Sequence, residues 1–137
     1  MATAKVTYLG DLRTECEHLQ SGMKITTDAP TDNQGKGEAF SPTDLCATSL
    51  AACMVTIMGI YANTMKIDIV GTDIEVTKVM GTEPRRIAEV ILTFHMPDKS
   101  YSDKERKALE RAALSCPVHY SLGENVKKTV SFLWKEV

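Results

Sequence analysis

A segment without charged side chains, residues 45–65, constrains the fold of this chain more than any other feature. It is about as long as a helix that spans a bilayer. However, it lies in the middle of a small chain, it is flanked by polar segments typical of strands, and it contains several polar residues. These are Thr48, Ser49, Thr56, Asn63 and Thr64. We therefore expect a buried central helix and no membrane segment.

The residues before this segment carry the signals of a helix start. Ser41 can act as the N-cap, Pro42 suits the first helical position, and Asp44 approximates a capping box. We expect a helix over residues 42–64. Gly59 in the helix interior lowers the stability of the helix by roughly 1 kcal/mol relative to alanine. A glycine at such a position indicates that another element packs closely against the helix there.

The composition is that of a globular domain. The chain has 137 residues, 43% hydrophobic and 25% charged, so we expect a single domain over residues 1–137. Its net charge of -2 shows no electrostatic footprint of a protein that binds nucleic acid. The central helix is apolar nearly all round, and a domain this small has few elements to cover it. We therefore expect a homodimer in which the second subunit completes the cover.

On both sides of the central helix, apolar and polar residues alternate with the period of β-strands. We expect an antiparallel meander before the helix and a long hairpin after it, and a loop over a site at residues 28–37. Ser102 and Glu105 form a capping box for a second helix. The expected fold is α+β, with the order βββ-α-ββ-αα-β and antiparallel sheets. Strands are expected at residues 4–9, 12–19, 23–27, 67–80, 85–96 and 126–134, and the later helices from the Ser102 cap through about residue 115 and at 117–122.

The N-terminus and the cysteine content together favour redox chemistry in the cytoplasm. The first residues lack the apolar stretch of a signal peptide and already alternate like a strand, so we expect a cytoplasmic protein. The chain has 4 cysteines. In the cytoplasm thiols stay reduced, and a disulfide there is usually transient and catalytic.

Two cysteines, Cys53 and Cys116, lie in local settings unlike the rest of the chain. Cys116 precedes Pro117 at the cap of a short helix, where free amides and the helix dipole stabilise a thiolate. Cys53 lies in the apolar helix, where a thiolate is disfavoured unless a cation such as arginine lies against it. These residues alone make Cys116 the more reactive thiol, and leave Cys53 as a nucleophile that needs a cation or as a small core residue. Cys46 is two turns, roughly 10 Å, from Cys53 and cannot pair with it within the helix.

A zinc site is an alternative use of these thiols. Cys116 and His119 have a C-x-x-H spacing that Cys53 and Cys46 could complete. The paired local motifs of structural zinc sites are missing, so we expect no metal. His119 is then expected to be a polar residue of the last turn or a neighbour that tunes Cys116.

Several segments together resemble the OsmC/Ohr superfamily of thiol-dependent hydroperoxide reductases. The resemblance rests on Ser41 to Leu45 leading through Ser49 to Cys53, and on Ser115 to Val118 some sixty residues later. The turn at Gly10 to Arg13, the final strand through Trp134 and the order of elements are also similar. The likeness covers essentially the whole chain.

The resemblance implies a mechanism and an assembly. It implies an intertwined homodimer in which Cys53 is the peroxide-reactive thiol, Cys116 resolves its sulfenic acid as a disulfide, and Arg13 activates Cys53. It implies a small-molecule hydroperoxide substrate, organic and in addition hydrogen peroxide, a dithiol reductant, and a role in oxidative-stress defence. No metal or organic cofactor is implied.

The chain departs from this family at one position of the site. A glutamate of the family falls at Thr43, and the nearest carboxylate, Asp44, is rotated about 100° around the helix. Asp44 is the expected substitute, and the alternatives are Glu15 or Glu17 from the Arg13 strand, or an arginine that is held in a different way. The departure favours the broader OsmC-like branch, and it leaves a second hypothesis: a non-catalytic stress or redox protein that binds a hydrophobic ligand in its dimer cleft.

Overall fold

The computed structural model describes residues 1–135, and the chain divides into two compact units, Met1–Cys46 and Ala47–Val137. The fold is α+β, as predicted, with two three-stranded sheets. The strands are β1 (Ala4–Gly10), β2 (Arg13–His18), β3 (Lys24–Asp28), β4 (Asp73–Gly81), β5 (Arg86–His95) and β6 (Lys127–Leu133). The helices are α1 (Pro42–Met65), α2 (Asp103–Ala113) and α3 (Pro117–Ser121), with a short 3-10 turn at Thr31–Asn33. The predicted order of elements is confirmed.

The first unit contains the predicted antiparallel meander, β1-β2-β3. Asp11 and Leu12, both with positive φ, form the tight turn between β1 and β2. The register then places Arg13, the first residue of β2, opposite Asp28, the last residue of β3. Cross-strand neighbours on one face of a sheet have side chains within reach of each other, so this pairing brings an arginine and an aspartate together.

Helix α1 begins at the predicted cap and continues from the first unit into the second. The amide of Asp44 donates to the Ser41 hydroxyl at 3.0 Å, and the Asp44 carboxylate accepts from the Ser41 amide at 3.0 Å. The helix stops at Met65 because Lys66 adopts a left-handed conformation. The close packing predicted at Gly59 is not found within the described chain: a Cβ there would meet no atom within 4 Å outside its own turn of helix.

The second unit is a sheet, β4-β5-β6, covered by helices. The expected alternation of apolar and polar residues is confirmed in β5, where Val90, Leu92 and Phe94 on one face are fully buried. The prediction of antiparallel sheets is correct for β4 and β5 but wrong for β6, which pairs parallel with β5. The two helices between these strands form a crossover connection, which returns the chain in the same direction. Strand β4 begins at Asp73, later than predicted, because the preceding residues form the helix stop and a turn.

Only part of the surface of α1 is buried in the single chain. Its core face consists of Ala47, Leu50, Ala51, Met54, Met58 and Ala62. Within the described residues α1 is the one helix long and apolar enough to cross a membrane, and 33% of its most apolar window is buried. On its outer side Ile60 is 59% exposed and Tyr61 43%. The helix therefore belongs to the core on one face and leaves apolar side chains open on another.

Candidate functional site

The second unit brings together the two cysteines that the sequence singled out. Cys53 is partly buried on α1, and Cys116, the residue before α3, is fully buried. Both are free thiols, and their side chains are hydrogen-bonded to each other. Two thiols far apart in sequence thus lie next to each other, and a two-electron oxidation with loss of both thiol protons would join them as a disulfide.

The surroundings of Cys116 keep its thiol protonated. Burial is the largest influence and raises the pKa of Cys116, and the hydrogen bond and charge of Cys53 raise it further. The backbone amide of His119 donates to the Cys116 sulfur at 3.2 Å and opposes this rise. This direction runs against the expectation that the helix cap stabilises a Cys116 thiolate, because loss of solvent outweighs the stabilisation by one short helix. As a protonated thiol, Cys116 can donate its hydrogen to the Cys53 sulfur.

His119 contacts Cys116 through its backbone amide. The ring packs edge-on against Tyr120, with centroids 5.8 Å apart. Its Nδ1 is buried and has no hydrogen-bond partner among residues 1–135. Burial, and to a lesser degree the charge of Lys128, lower the pKa of His119, so the ring is held neutral.

Arg13 lies at the centre of a cluster in the first unit. Its Nε donates to Asp28 Oδ1 at 2.7 Å and its Nη2 donates to Asp28 Oδ2 at 2.8 Å. Glu38 adds a weaker contact to Nη2 at 3.3 Å, and the backbone amide of Glu38 donates to Asp28 Oδ2 at 3.1 Å. Asp28 is only 1% exposed, whereas the Glu38 side chain is 65% exposed. The aspartate is therefore the principal partner of the arginine.

The loop after β3 closes onto this cluster, which accounts for the contact of Glu38. The amide of Gly35 donates to the Pro30 carbonyl at 2.9 Å, and the amide of Gly37 donates to the Ala29 carbonyl at 3.2 Å. A Cβ on Gly35 would lie 1.7 Å from the Ala29 carbonyl oxygen, so a larger residue cannot make this return. The predicted loop therefore wraps back on its own strand.

The predicted site residues thus fall into two groups. Cys53 and Cys116 meet in the second unit, whereas Arg13 and Asp44 lie in the first. A carboxylate oxygen of Asp44 is used in the α1 cap. Glu15 pairs with Lys24 at 3.6 Å. The catalytic roles assigned to these residues stay predictions.

Sequence reasoning missed Asp28 and Glu38 as the partners of Arg13. The available signal was the hairpin register, because two strands joined by a short turn place Arg13 opposite Asp28. The contact of Glu38 depends on the path of the loop, for which the sequence offers no equivalent rule.

The zinc alternative has no supporting geometry in the described part of the chain. Among residues 1–135, no three histidine, cysteine, aspartate or glutamate side chains are grouped so that they could hold a metal ion. Cys16 lies in β2, and its sulfur is 3.8 Å from the Thr14 hydroxyl oxygen.

An apolar hollow of about 300 Å³ lies between α1 and α2 in the second unit. Its volume is at the lower end of the range of small-molecule pockets. Arg111 and Ser115 are its polar residues, and its apolar lining consists of Ile57, Ile60, Tyr61, Ala108 and Ala112.

Comparison with known proteins identifies close and distant relatives of the chain. A family model described as OsmC-like protein matches residues 35–131. A crystal structure from Psychrobacter arcticus, of a candidate osmotic stress induced and detoxification response protein, is 55% identical, with a TM-score of 0.93, over 97% of this chain and 96% of that one. No curated protein matches the chain.

Two more distant structures share the fold. The organic hydroperoxide resistance protein OsmC of Legionella pneumophila is 24% identical, with a TM-score of 0.71, over 96% of this chain and 97% of that one. A candidate organic hydroperoxide resistance protein of Vibrio cholerae, with captopril bound in one of its active sites, is 19% identical, with a TM-score of 0.73, over 96% of this chain and 92% of that one.

Proposed function

Since the chain belongs to the OsmC-like protein family, we propose that it is a cysteine-based peroxidase that reduces organic hydroperoxides in oxidative-stress defence. The observation that carries this proposal is the hydrogen bond between the Cys53 and Cys116 thiols. The structural relatives from Legionella pneumophila and Vibrio cholerae, which are named for organic hydroperoxide resistance, support it.

The chemistry uses both thiols in sequence. The Cys53 thiolate attacks the terminal oxygen of the hydroperoxide, the O–O bond breaks, and the alkoxide takes a proton and leaves as an alcohol. Cys53 is then a sulfenic acid. The Cys116 sulfur attacks it, water leaves, and a disulfide forms. A dithiol reduces this disulfide by exchange and is itself oxidised.

Cys116 suits the resolving step rather than the first attack. Its raised pKa keeps it protonated while Cys53 reacts, and its S–H can donate to the Cys53 sulfur. Because the two thiols already touch, the sulfenic acid would be captured before a second peroxide could oxidise it further.

Activation of Cys53 is assigned to Arg13. A guanidinium carries a permanent positive charge and is the cation that a thiolate in an apolar helix needs. Its contacts with Asp28 and Glu38 use Nε and Nη2, and Nη1 takes part in neither. Asp44, which the sequence also predicts as a site residue, is proposed as a carboxylate of this site in addition to Asp28.

The proposed assembly is a homodimer in the cytoplasm. The apolar side chains on the open face of α1, Ile60 and Tyr61 among them, support a second subunit as the cover. Light scattering coupled to size-exclusion chromatography tests this assembly, and a stable monomer would contradict it.

The peroxidase is tested by dithiol-dependent consumption of cumene hydroperoxide. We expect wild type to turn over, Cys53→Ser to be inactive, and Cys116→Ser to stop after one turnover with Cys53 oxidised to the sulfinic or sulfonic acid. Cys16→Ser is the matched control and should behave as wild type. Equal slow rates in all four proteins would refute the proposal.

The second candidate function is binding of a hydrophobic ligand without catalysis. The apolar hollow between α1 and α2 favours it. It predicts a ligand-induced rise in melting temperature that Ala108→Trp, which would fill the hollow, abolishes and Cys53→Ser does not.

A further inference from the structure

We propose that Asp28 positions Arg13 for the reaction, in place of a glutamate at Thr43. This inference rests on the proposed function, in which Arg13 activates Cys53. It begins from a buried acidic side chain that the thiol chemistry does not use. Asp28 is 1% exposed, and a buried carboxylate is stable only when its charge is paired and its oxygens are hydrogen-bonded.

Both oxygens of Asp28 are used to hold the guanidinium. Two parallel N–H···O bonds, from Nε and Nη2 of Arg13, form a fork that fixes the plane as well as the position of the guanidinium. The hydrogen bond to Arg13 is the largest cause of a lowered pKa at Asp28, and the same pair raises the pKa of Arg13. Both groups therefore stay charged at neutral pH.

Several hydrogen bonds fix the backbone around Asp28. The Asp28 amide donates to the Phe40 carbonyl at 3.1 Å, and the Ala29 amide donates to the Leu12 carbonyl at 3.1 Å. The closed loop brings the amide of Glu38 to the carboxylate. The aspartate is thus the fixed member of the pair, and the longer arginine side chain takes its orientation from it.

This arrangement leaves one end of the guanidinium outside the pair. Asp28 takes the Nε and Nη2 side of the fork, so Nη1 is held at a defined position with its hydrogens directed away from the carboxylate. A thiolate or peroxide oxygen is the kind of anionic or polar partner that such a nitrogen binds. Glu38, with its exposed side chain and longer contact, contributes little to this orientation.

The test compares variants of the full-length protein in two assays. Iodoacetamide alkylation of the Cys53 peptide, followed by mass spectrometry from pH 5 to 10, reports how readily Cys53 ionises. Dithiol-dependent consumption of cumene hydroperoxide reports the reaction. The variants are Arg13→Gln, Arg13→Lys, Asp28→Asn and the control Glu38→Gln, each checked for folding by circular dichroism.

We expect Asp28→Asn to shift the alkylation midpoint in the same direction as Arg13→Gln and to slow hydroperoxide consumption by about 10- to 100-fold, the effect of a misplaced group. Glu38→Gln should leave the midpoint in place and slow the reaction less than about fivefold. Arg13→Lys keeps the charge but cannot form the two parallel hydrogen bonds to Asp28. It should therefore also slow hydroperoxide consumption by more than about tenfold. A folded Asp28→Asn with the wild-type midpoint and rate would overturn the inference.

Two further outcomes are decisive. If Asp28→Asn does not fold, Arg13→Lys decides, and wild-type behaviour of that variant overturns the inference. If wild type consumes no hydroperoxide, the proposed function fails, while the alkylation series still decides whether Asp28 and Arg13 together influence the ionisation of Cys53. An unchanged alkylation midpoint in Arg13→Gln overturns the inference as well.

Discussion

Cys116 has two roles that a matched pair of substitutions can separate. It caps α3 by accepting the His119 amide, and it is the proposed resolving thiol. Cys116→Ser keeps an acceptor at the cap, and Cys116→Ala removes it. Both substitutions remove the thiol. We therefore expect the two variants to share the redox defect and to differ in stability.

The magnitude follows from the burial and hydrogen bond of Cys116. Loss of an N-cap acceptor costs about 1 kcal/mol. Removal of a sulfur atom from a fully buried position costs about 1 kcal/mol more, as transfer and cavity terms. Cys116→Ala should therefore lower the free energy of unfolding by about 2 kcal/mol relative to reduced wild type, and by about 1 kcal/mol relative to Cys116→Ser.

Urea denaturation of the reduced proteins measures these differences. One equivalent of hydroperoxide should then stabilise only wild type, because a disulfide between Cys53 and Cys116 closes a loop of about 60 residues. Loop-closure entropy sets an upper limit of about 4 kcal/mol on that gain.

Two results would refute this reasoning. Equal stability of the serine and alanine variants would show that the cap contributes nothing. A wild-type protein that keeps all its thiols after peroxide treatment, as counted by mass spectrometry, would remove Cys116 from the mechanism.

The remaining predictions concern stability. Gly59→Ala should raise the free energy of unfolding by about 1 kcal/mol in urea, because alanine favours the helix and the position is open; a loss of stability would show that another surface packs there. Since the pKa of His119 is lowered in the folded state, the unfolded chain binds a proton that the folded chain does not, and stability should fall as pH drops below about 6.5. His119→Gln should show a smaller drop in urea midpoint between pH 7.5 and 5.5, and an unchanged drop would contradict the assignment. Ser102→Ala removes the hydroxyl that accepts from the Glu105 amide, while the bond from the backbone amide of residue 102 to the Glu105 carboxylate is kept. It should cost about 1 kcal/mol in thermal unfolding, against no change for the exposed Ser100→Ala in the same assay.

The starts of α1 and α2 and the inward face of β5 could be predicted because their signals are local. Ser41 and Ser102 have side chains that accept hydrogen bonds from the free amides of the next turn. This pattern can be recognised within four residues of sequence. The prediction of antiparallel pairing is wrong for β6, because the direction in which two helices return the chain depends on how they pack and not on a local signal.

The site was predictable in part. The resemblance assigned Cys53 and Cys116 as a pair, and the structure brings their thiols together. The residues next to Cys116 predict a lowered pKa, but burial raises it. Burial depends on how the whole second unit packs and not on the residues next to Cys116. The sequence offers Asp44, Glu15 and Glu17 as carboxylates for Arg13, whereas Asp28 reaches it across a strand pair.

The sequence by itself determined the elements, their order and the two exceptional cysteines, since caps, turns and periodicity act over a few residues. Only the tertiary structure decided that burial raises the pKa of Cys116 and that Asp28 is the carboxylate that holds Arg13. Solvent exclusion and cross-strand contact join residues distant in sequence. Their energies depend on the distances and burial that the folded chain creates.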